Sequence, residues 1–170
     1  MDLREANAND AAALADLGQR SFVAKFGHLY TPRDLADFLA DSHGEARVAA
    51  EIADPKIPVM LACEGERIVG FCKLKLACGW PDVARGGNVI ELKQLYTDPD
   101  VIGRGIGGKL MAWALDYART QGADEIQLSV YSDNPDAQRF YARHGFAKVA
   151  ETYFMVGEQR DHEFLFAALI

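Results

Sequence analysis

The sequence predicts an α/β fold in which a mixed, mostly antiparallel twisted sheet carries helices on both faces. Helical spacing of apolar residues dominates the first third of the chain, strand-like runs separated by turns follow, and strands then alternate with helices. A meander followed by such an alternation implies a mixed sheet that is covered on both faces. The 170 residues, 49% of them hydrophobic, suit a single domain over residues 1–170 that buries a sizeable core.

The first third of the chain predicts one short strand and a helical region rich in aromatic residues. Residues 3–6 can form the strand, and a helix over residues 10–19 begins on an aspartate N-cap. Phe22, Phe26 and Tyr30 recur at four-residue spacing, which indicates an apolar helical face.

Two capping patterns predict where the next helices begin. Thr31-Pro32 has the form of an N-cap followed by proline at the first helical position. Residues 42–45, Ser-His-Gly-Glu, have the form of a capping box, and a helix to about residue 53 follows. Asp54-Pro55 ends that helix, because the residue before a proline avoids the helical region.

The remaining elements follow from apolar runs bounded by glycine and proline. Strands are predicted at residues 59–63, 68–76, 89–96, 126–130, 148–156 and 164–169. Helices are predicted at residues 110–120 and 136–144, and each is followed by a glycine suited to a C-cap.

Charge and composition exclude several classes of function. A net charge of -7 argues against a nucleic-acid partner, which favours a basic stripe. The chain begins without a signal-peptide pattern and has no apolar run near the roughly 20 residues of a membrane span, so we expect a cytoplasmic protein without a membrane partner. The three cysteines form no CxxC pair and the four histidines are scattered, so we expect no metal site.

The glycine-rich segment at residues 103–108 points to a phosphate-bearing ligand. Glycines let backbone N–H groups approach a phosphate closely, and the N-terminus of the helix that follows favours an anion. The segment fits the GxGxxG dinucleotide fingerprint and most of a P-loop, and a tight turn without a ligand is a further alternative. The P-loop needs Ser or Thr after its lysine, but Leu110 follows Lys109. A dinucleotide fold needs several more βα units than the remaining chain offers.

Two segments together resemble the GNAT family of N-acetyltransferases. The first runs Leu95-Tyr96-Thr97-Asp98-Pro99 and continues through the glycine-rich segment to Lys109-Leu110, and the second is Asn134-x-x-Ala137-x-x-Phe140-Tyr141-x-x-x-Gly145-Phe146. The resemblance implies a GNAT-like sheet, acetyl-CoA as co-substrate and direct attack of a primary amine on its acetyl group. One departure is Ile102, which stands where the family has Gln or Arg. Arg104 and Lys109 are the candidates for supplying the missing charge.

The resemblance also implies which residues bind acetyl-CoA. The backbone N–H of Leu95 polarises the thioester carbonyl, and Thr97 pairs with the pantetheine arm as if the arm were an added strand. The residues assigned to the cofactor are Leu95, Tyr96, Thr97, Gly103, Arg104, Gly105, Ile106, Gly107, Gly108, Lys109, Asn134 and Phe140.

Glu91 and Tyr141 are the candidate catalytic residues. The amine must lose a proton and the departing thiolate must gain one. Glu91 precedes the motif on its strand and is the candidate base; alternation places it on one face with Lys93 and Leu95 unless a bulge intervenes. By its position in the second segment, Tyr141 matches the family's general acid. A phenol can donate a proton to a departing thiolate, because its pKa near 10 is close to that of a thiol. A solvated strand carboxylate and a core tyrosine are the respective alternatives.

The acceptor is the least defined part of the prediction. Residues 22–26, the helix after Thr31-Pro32, residues 91–96 and residues 153–158 resemble Pai-type spermidine/spermine acetyltransferases. We therefore expect a small-molecule amine, with a polyamine as one candidate. The alternative acceptors are an amino acid, an antibiotic or a protein amine. The alternative to an enzyme is a CoA-binding sensor without turnover. In each case the chain can form a homodimer. The carboxylates available to a polycation are Asp82, Glu91, Glu158 and Asp161.

Overall fold

A seven-stranded sheet forms the centre of the molecule, in a computed structural model that describes residues 1–101 and 103–170. Its strand order is β1-β2-β3-β4-β5-β7-β6. The strands are β1 (Asp2–Glu5), β2 (Val59–Glu64), β3 (Arg67–Lys75), β4 (Val89–Thr97), β5 (Glu125–Tyr131), β6 (Ala147–Val156) and β7 (Gln159–Leu169). Strands β4 and β5 are parallel and the other neighbours are antiparallel, which confirms the predicted mixed, mostly antiparallel sheet.

Helices cover both faces of this sheet, as predicted. They are α1 (Ala11–Phe26), α2 (Pro32–Ser42), α3 (Glu45–Ala53), α4 (Ile106–Thr120) and α5 (Pro135–Arg143). Helices α1 and α3 pack with Leu61 and Phe71 on one face, whereas α4 and α5 pack with Cys72 and Leu74 on the other. No helix within the described ranges is long and apolar enough to cross a membrane.

The starts of α1 and α3 differ from the prediction, and α4 begins at Ile106, four residues before the predicted start. Helix α1 begins after a short 3₁₀ turn that is capped by the Asn7 side chain, and Asp10 closes a capping box with Asn7 instead of capping α1. The helix also continues to Phe26, because the aromatic spacing extends the buried face. The predicted capping box at residues 42–45 is wrong: Ser42 is the last residue of α2, and Gly44 precedes α3. The predicted Thr31 cap is confirmed, since its side chain accepts a hydrogen bond from the backbone N–H of Asp34.

A β-bulge in β4 changes which side chains share a face. Opposite Lys73 and Leu74 of β3 lie Gln94 and Leu92, so Lys93 is an extra residue in the ladder. As a result Leu92 and Leu95 both pack toward α4. Simple alternation, which places Glu91, Lys93 and Leu95 on one face, is therefore wrong for Leu95.

Candidate active site

The sheet opens between its two parallel strands. The ladder pairs Val89, Ile90 and Glu91 of β4 with Glu125, Ile126 and Gln127 of β5. Beyond these three pairs, the described residues of the two strands are no longer paired with each other. A cavity of about 1230 Å³ occupies the opening. Its walls include the start of α4 and α5 on one face of the sheet and α1 and α2 on the other. The opening therefore connects the two faces through the middle of the sheet.

The edge of β4 that borders the opening offers free backbone groups. The Asp98 N–H donates to the Val69 carbonyl on β3 at 2.9 Å. In an antiparallel ladder the N–H groups of successive residues point to alternate edges. The N–H groups of Thr97 and Leu95 therefore point away from β3 and into the opening, where an extended ligand can pair with them.

The turn that follows β4 presents further N–H groups. Gly103 and Gly105 have φ values of 85° and 75°, in the left-handed region that side chains disfavour. The first helical hydrogen bond of α4 runs from the Lys109 N–H to the Gly105 carbonyl, so the N–H groups of residues 106–108 precede it. With the positive end of the helix dipole, these groups form a site for an anion. The Ile106 side chain is buried in the core, so this residue offers only its backbone.

The two cations near this turn have different surroundings. Arg104 lines the cavity, and its guanidinium forms an ion pair with Glu64 at 2.8 Å. Lys109 is exposed and stands outside the described cavity wall. Their predicted role in binding phosphate stays a prediction, and the departure at Ile102 lies outside the described residues.

Helix α5 begins on the opposite side of the opening. Asn134 caps it, because its side chain accepts a hydrogen bond from the Ala137 N–H at 3.3 Å. The Phe140 ring lies 3.5 Å from where a Cβ at Gly107 would stand, so it closes against the start of α4. Tyr141 lines the cavity and packs on Phe146, and burial raises the pKa of its hydroxyl above the ordinary value. The hydroxyl is therefore protonated at any physiological pH.

Glu91 lies where the opening begins, since it belongs to the last pair of the β4–β5 ladder. Its side chain is half-buried and lines the cavity. Burial raises the pKa of this carboxyl, while Lys75 and Lys93 act in the opposite direction. Glycine at position 79 leaves room for it, because a Cβ there would stand 3.1 Å from Glu91 Oε2.

Aromatic side chains line the cavity on the α1 and α2 face, which we call the acceptor chamber. Phe22 is their centre: its ring centroid lies 5.2 Å from that of Phe26 and 4.6 Å from that of Phe38. The aromatic residues of the acceptor chamber are Phe22, Phe26, Tyr30, Phe38, Trp80, Tyr96, Tyr131 and Phe154.

Two carboxylates of β7 complete the acceptor chamber. Asp161 is buried and accepts a hydrogen bond from the Tyr30 hydroxyl. Burial raises the pKa of the Glu163 carboxyl, although a hydrogen bond from Ser129 acts in the opposite direction. Among the described residues, neither carboxylate forms an ion pair, and the same holds for Glu91.

Sequence reasoning identified only part of this set. Asp161 and Glu91 line the cavity as expected of an acceptor site, but Asp82 and Glu158 are exposed on turns outside its described wall. Glu163 was missed, although its two-residue spacing from Asp161 on a strand is a signal that the two side chains share a face.

Comparison with known proteins agrees with this geometry. A sequence model of the acetyltransferase (GNAT) family matches residues 14–146. An uncharacterised N-acetyltransferase of Mycobacterium tuberculosis is 30% identical over 156 residues, which cover 92% of this chain and 95% of that protein. An aminoalkylphosphonate N-acetyltransferase of Salmonella typhimurium is 33% identical over 98 residues, 58% of this chain and 62% of that protein.

Among solved structures, the PaiA N-acetyltransferase of Thermoplasma acidophilum in complex with coenzyme A matches with a TM-score of 0.80. The match covers 99% of this chain and 98% of that chain at 19% identity, so it is a likeness of fold. The family match removes the dinucleotide and P-loop interpretations of the glycine-rich segment. The chain belongs to the acetyltransferase (GNAT) family and is an acetyl-CoA-dependent N-acetyltransferase.

Proposed function

We propose that this enzyme binds acetyl-CoA and a primary amine together and that the amine attacks the acetyl carbonyl directly. The observation that carries the proposal is the opening between β4 and β5, which joins the glycine turn on one face to the acceptor chamber on the other. A thioester placed in the opening would meet an amine from the acceptor chamber with no covalent enzyme intermediate.

Backbone groups are proposed to hold the cofactor. The N–H groups of residues 106–108 would receive the pyrophosphate, since they have no earlier helical carbonyl to bond. The edge of β4 at Leu95 and Thr97 would pair with the extended pantetheine arm. The Leu95 N–H would then donate to the thioester oxygen, where negative charge develops in the transition state. Asn134 and Phe140 would form the wall on the α5 side.

The proton transfers are proposed to run through Glu91 and Tyr141. Glu91 accepts a proton from the ammonium form of the substrate, directly or through water, and frees the nitrogen lone pair. The nitrogen forms a bond to the acetyl carbon, and the bond from that carbon to sulfur breaks. Tyr141 donates its proton to the departing thiolate and is restored, through water, by the second proton that the nitrogen loses, while Glu91 releases the first proton to solvent. The raised pKa of Glu91 suits its role, because a stronger base accepts a proton more readily. The raised pKa of Tyr141 keeps its hydroxyl protonated but makes it a weaker donor, so its role rests on its place at the opening.

Within the acceptor class, a polyamine is our first candidate. Asp161 and Glu163 have no cationic partner in the described chain, and buried carboxylates ordinarily have one. Six-membered rings such as Phe26, Tyr30 and Tyr131 also attract ammonium groups through their faces. A substrate with more than one ammonium group would satisfy both features.

A second candidate is an amine that also carries an anionic group. Arg47 and Lys93 line the floor of the acceptor chamber, and one Salmonella relative is named as acting on aminoalkylphosphonates. A phosphonate or carboxylate near these two cations would orient its own amine toward the opening.

Release of free CoA thiol from acetyl-CoA tests both candidates. The purified enzyme is offered spermidine, an aminoalkylphosphonate, amino acids, an aminoglycoside and a peptide with a free N-terminus, each at a series of concentrations. We expect the highest kcat/KM with spermidine. A preference for the aminoalkylphosphonate favours the second candidate. Thermal stabilisation by acetyl-CoA without thiol release from any amine would overturn the proposed acceptor class.

A further inference from the structure

A buried ion cluster lies beneath the bulge of β4. The Glu51 carboxylate on α3 accepts from Lys73 Nζ at 2.6 Å and from Lys93 Nζ at 2.9 Å. Arg47, one turn earlier on α3, donates to it at 3.3 Å. The Glu51 and Lys73 side chains are only 4% and 1% exposed. One carboxylate therefore holds three cations, of which Arg47 and Lys93 line the acceptor chamber.

Lys93 is also a neighbour of Glu91. The two residues are separated by one position on β4, which is about 6–7 Å along a strand. The side chains of Ile90 and Leu92, which flank Glu91 in the sequence, face α4. The side chains of Glu91 and Lys93 therefore face the other way, toward α3 and the acceptor chamber. A lysine stem is long enough to span this separation. The Glu51 carboxylate thus competes with Glu91 for the Lys93 ammonium.

We infer that Glu51 is a positioning residue that holds the Lys93 ammonium away from Glu91 and keeps that carboxylate free to accept the substrate's proton. The inference rests on the proposed role of Glu91 as the base. The two carboxylate oxygens of Glu51 accept hydrogen bonds from Lys73 and Lys93, so this one residue fixes both side chains. Lys93 is the bulge residue of β4, and Lys73 lies on the neighbouring strand β3. Without Glu51, Lys93 would swing to Glu91, which would make that carboxylate a weaker base and occupy its oxygens.

The other charged groups near Glu91 are accounted for. Lys75 lies opposite Glu91 on β3 and also lowers the pKa of that carboxyl, but it does not bond to Glu51, so its effect is the same with and without Glu51. Arg47 lies behind Lys93 and is bonded to Glu51. His43 packs beside the cluster, where burial and Lys73 lower its pKa to about 4, so it is neutral over the usual range of an assay. The acidic limb of the pH–rate profile therefore reports on Glu91 and not on His43.

A set of variants tests the inference through the pH dependence of kcat/KM. Removing Glu51 alone would leave Lys73 buried without a partner, so Glu51→Gln is combined with Lys73→Met. In this double variant Lys93 is released, and we expect the acidic limb to move down by about one pH unit and the plateau to fall. Adding Lys93→Gln to the double variant should return the limb to its original position. Adding Lys75→Gln instead is the matched control and should move the limb only as far as Lys75→Gln does in the otherwise unchanged enzyme.

Lys93→Gln in the otherwise unchanged enzyme gives a second reading that does not depend on the folding of the double variant. Because Glu51 already holds Lys93, we expect this change to raise the limb by less than about half a pH unit. A rise of a full unit would show that Lys93 already pairs with Glu91, and it would overturn the inference. An unmoved limb in the double variant, or no return in the triple variant, would overturn it as well.

Glu91→Gln distinguishes failure of this inference from failure of the proposed base. If that variant displaces the limb to alkaline values while the Glu51 variants do not move it, only the role of Glu51 is wrong. If Glu91→Gln leaves the profile unchanged, both assignments fall.

Discussion

The two sides of the opening are built in different ways. On the proposed cofactor side, the N–H groups of Leu95, Thr97 and residues 106–108 border the opening, so the conformation of the backbone matters more than its side chains. On the proposed acceptor side, the wall includes side chains from α1, α2, α3, β4, β5, β6 and β7. A backbone site tolerates changes of side chain but not of backbone angle, whereas the acceptor chamber can change its ligand by single substitutions. One enzyme can therefore keep its cofactor while its amine substrate varies.

Tyr141 should give the largest effect, and it tests whether chemistry separates from binding on the cofactor side. Tyr141→Phe removes the proton donor but keeps the ring packed on Phe146, so we expect kcat to fall about 100-fold with KM for acetyl-CoA nearly unchanged. Steady-state thiol release measures both. Tyr153→Phe, at an exposed tyrosine of β6, is the control. An unchanged kcat would remove Tyr141 as the acid.

Glu91 should give the next largest effect and locates the base at the boundary of the two sides. We expect kcat/KM to fall as the pH drops through the pKa of Glu91, which burial raises. In Glu91→Gln the substrate amine must lose its proton unaided, so we expect about a 10-fold lower rate at neutral pH and a profile displaced to alkaline values. Glu163→Gln should instead raise KM for a cationic acceptor. If both variants give the same profile shift, the distinction between base and acceptor carboxylate fails.

Asp98 follows β4 and links it to α1 and β3, so its loss should destabilise the folded protein. It is buried and accepts hydrogen bonds from Arg20 of α1, Arg67 of β3 and the Asp100 N–H. Although burial opposes ionisation, these partners hold the pKa of Asp98 at about 2. This shift of nearly two units corresponds to about 2 kcal/mol of folding stability, present above the ordinary pKa of 3.8 and lost as the pH falls toward 2.

We therefore expect Asp98→Asn to lower the free energy of unfolding by about 2 kcal/mol at pH 7. Urea denaturation at pH 7 and at pH 3 measures the loss, which should shrink at the lower pH. Asp16→Asn removes only an exposed partner of Arg20 and should cost less than about 0.5 kcal/mol. An equal loss at both pH values would contradict the ionic origin.

Gly105 gives the smallest expected effect and tests the backbone character of the cofactor side most directly. Gly105→Ala places a Cβ at φ 75°, which costs about 1 kcal/mol, or roughly a fivefold weaker acetyl-CoA affinity. Gly65→Ala imposes the same conformation at φ 60° in the β2–β3 turn. It should lower stability similarly without changing the Kd for acetyl-CoA, which calorimetry measures. Equal Kd changes in the two variants would contradict a local effect.

The same contrast explains what the sequence could predict. The glycine turn, the Thr31 cap and the positions of most strands follow from neighbouring residues, so the sequence predicts them. The bulge at Lys93 depends on its pairing with β3, so alternation alone placed Leu95 on the wrong face. The Glu51 cluster forms through contacts between distant segments, for which a single sequence carries no local signal.

The opening between β4 and β5 also leaves the molecule with an unfinished sheet. Two half-sheets, β1–β4 and β5–β7, are joined by three residue pairs, and beyond them each half shows a strand edge to the interior. A free strand edge on a surface invites other chains to pair with it. Here the helices enclose the edge, so only a slender ligand can reach it. In the proposed mechanism, the pantetheine arm of acetyl-CoA would pair with the edge of β4 in each catalytic cycle, and the edge would be unpaired again when CoA leaves.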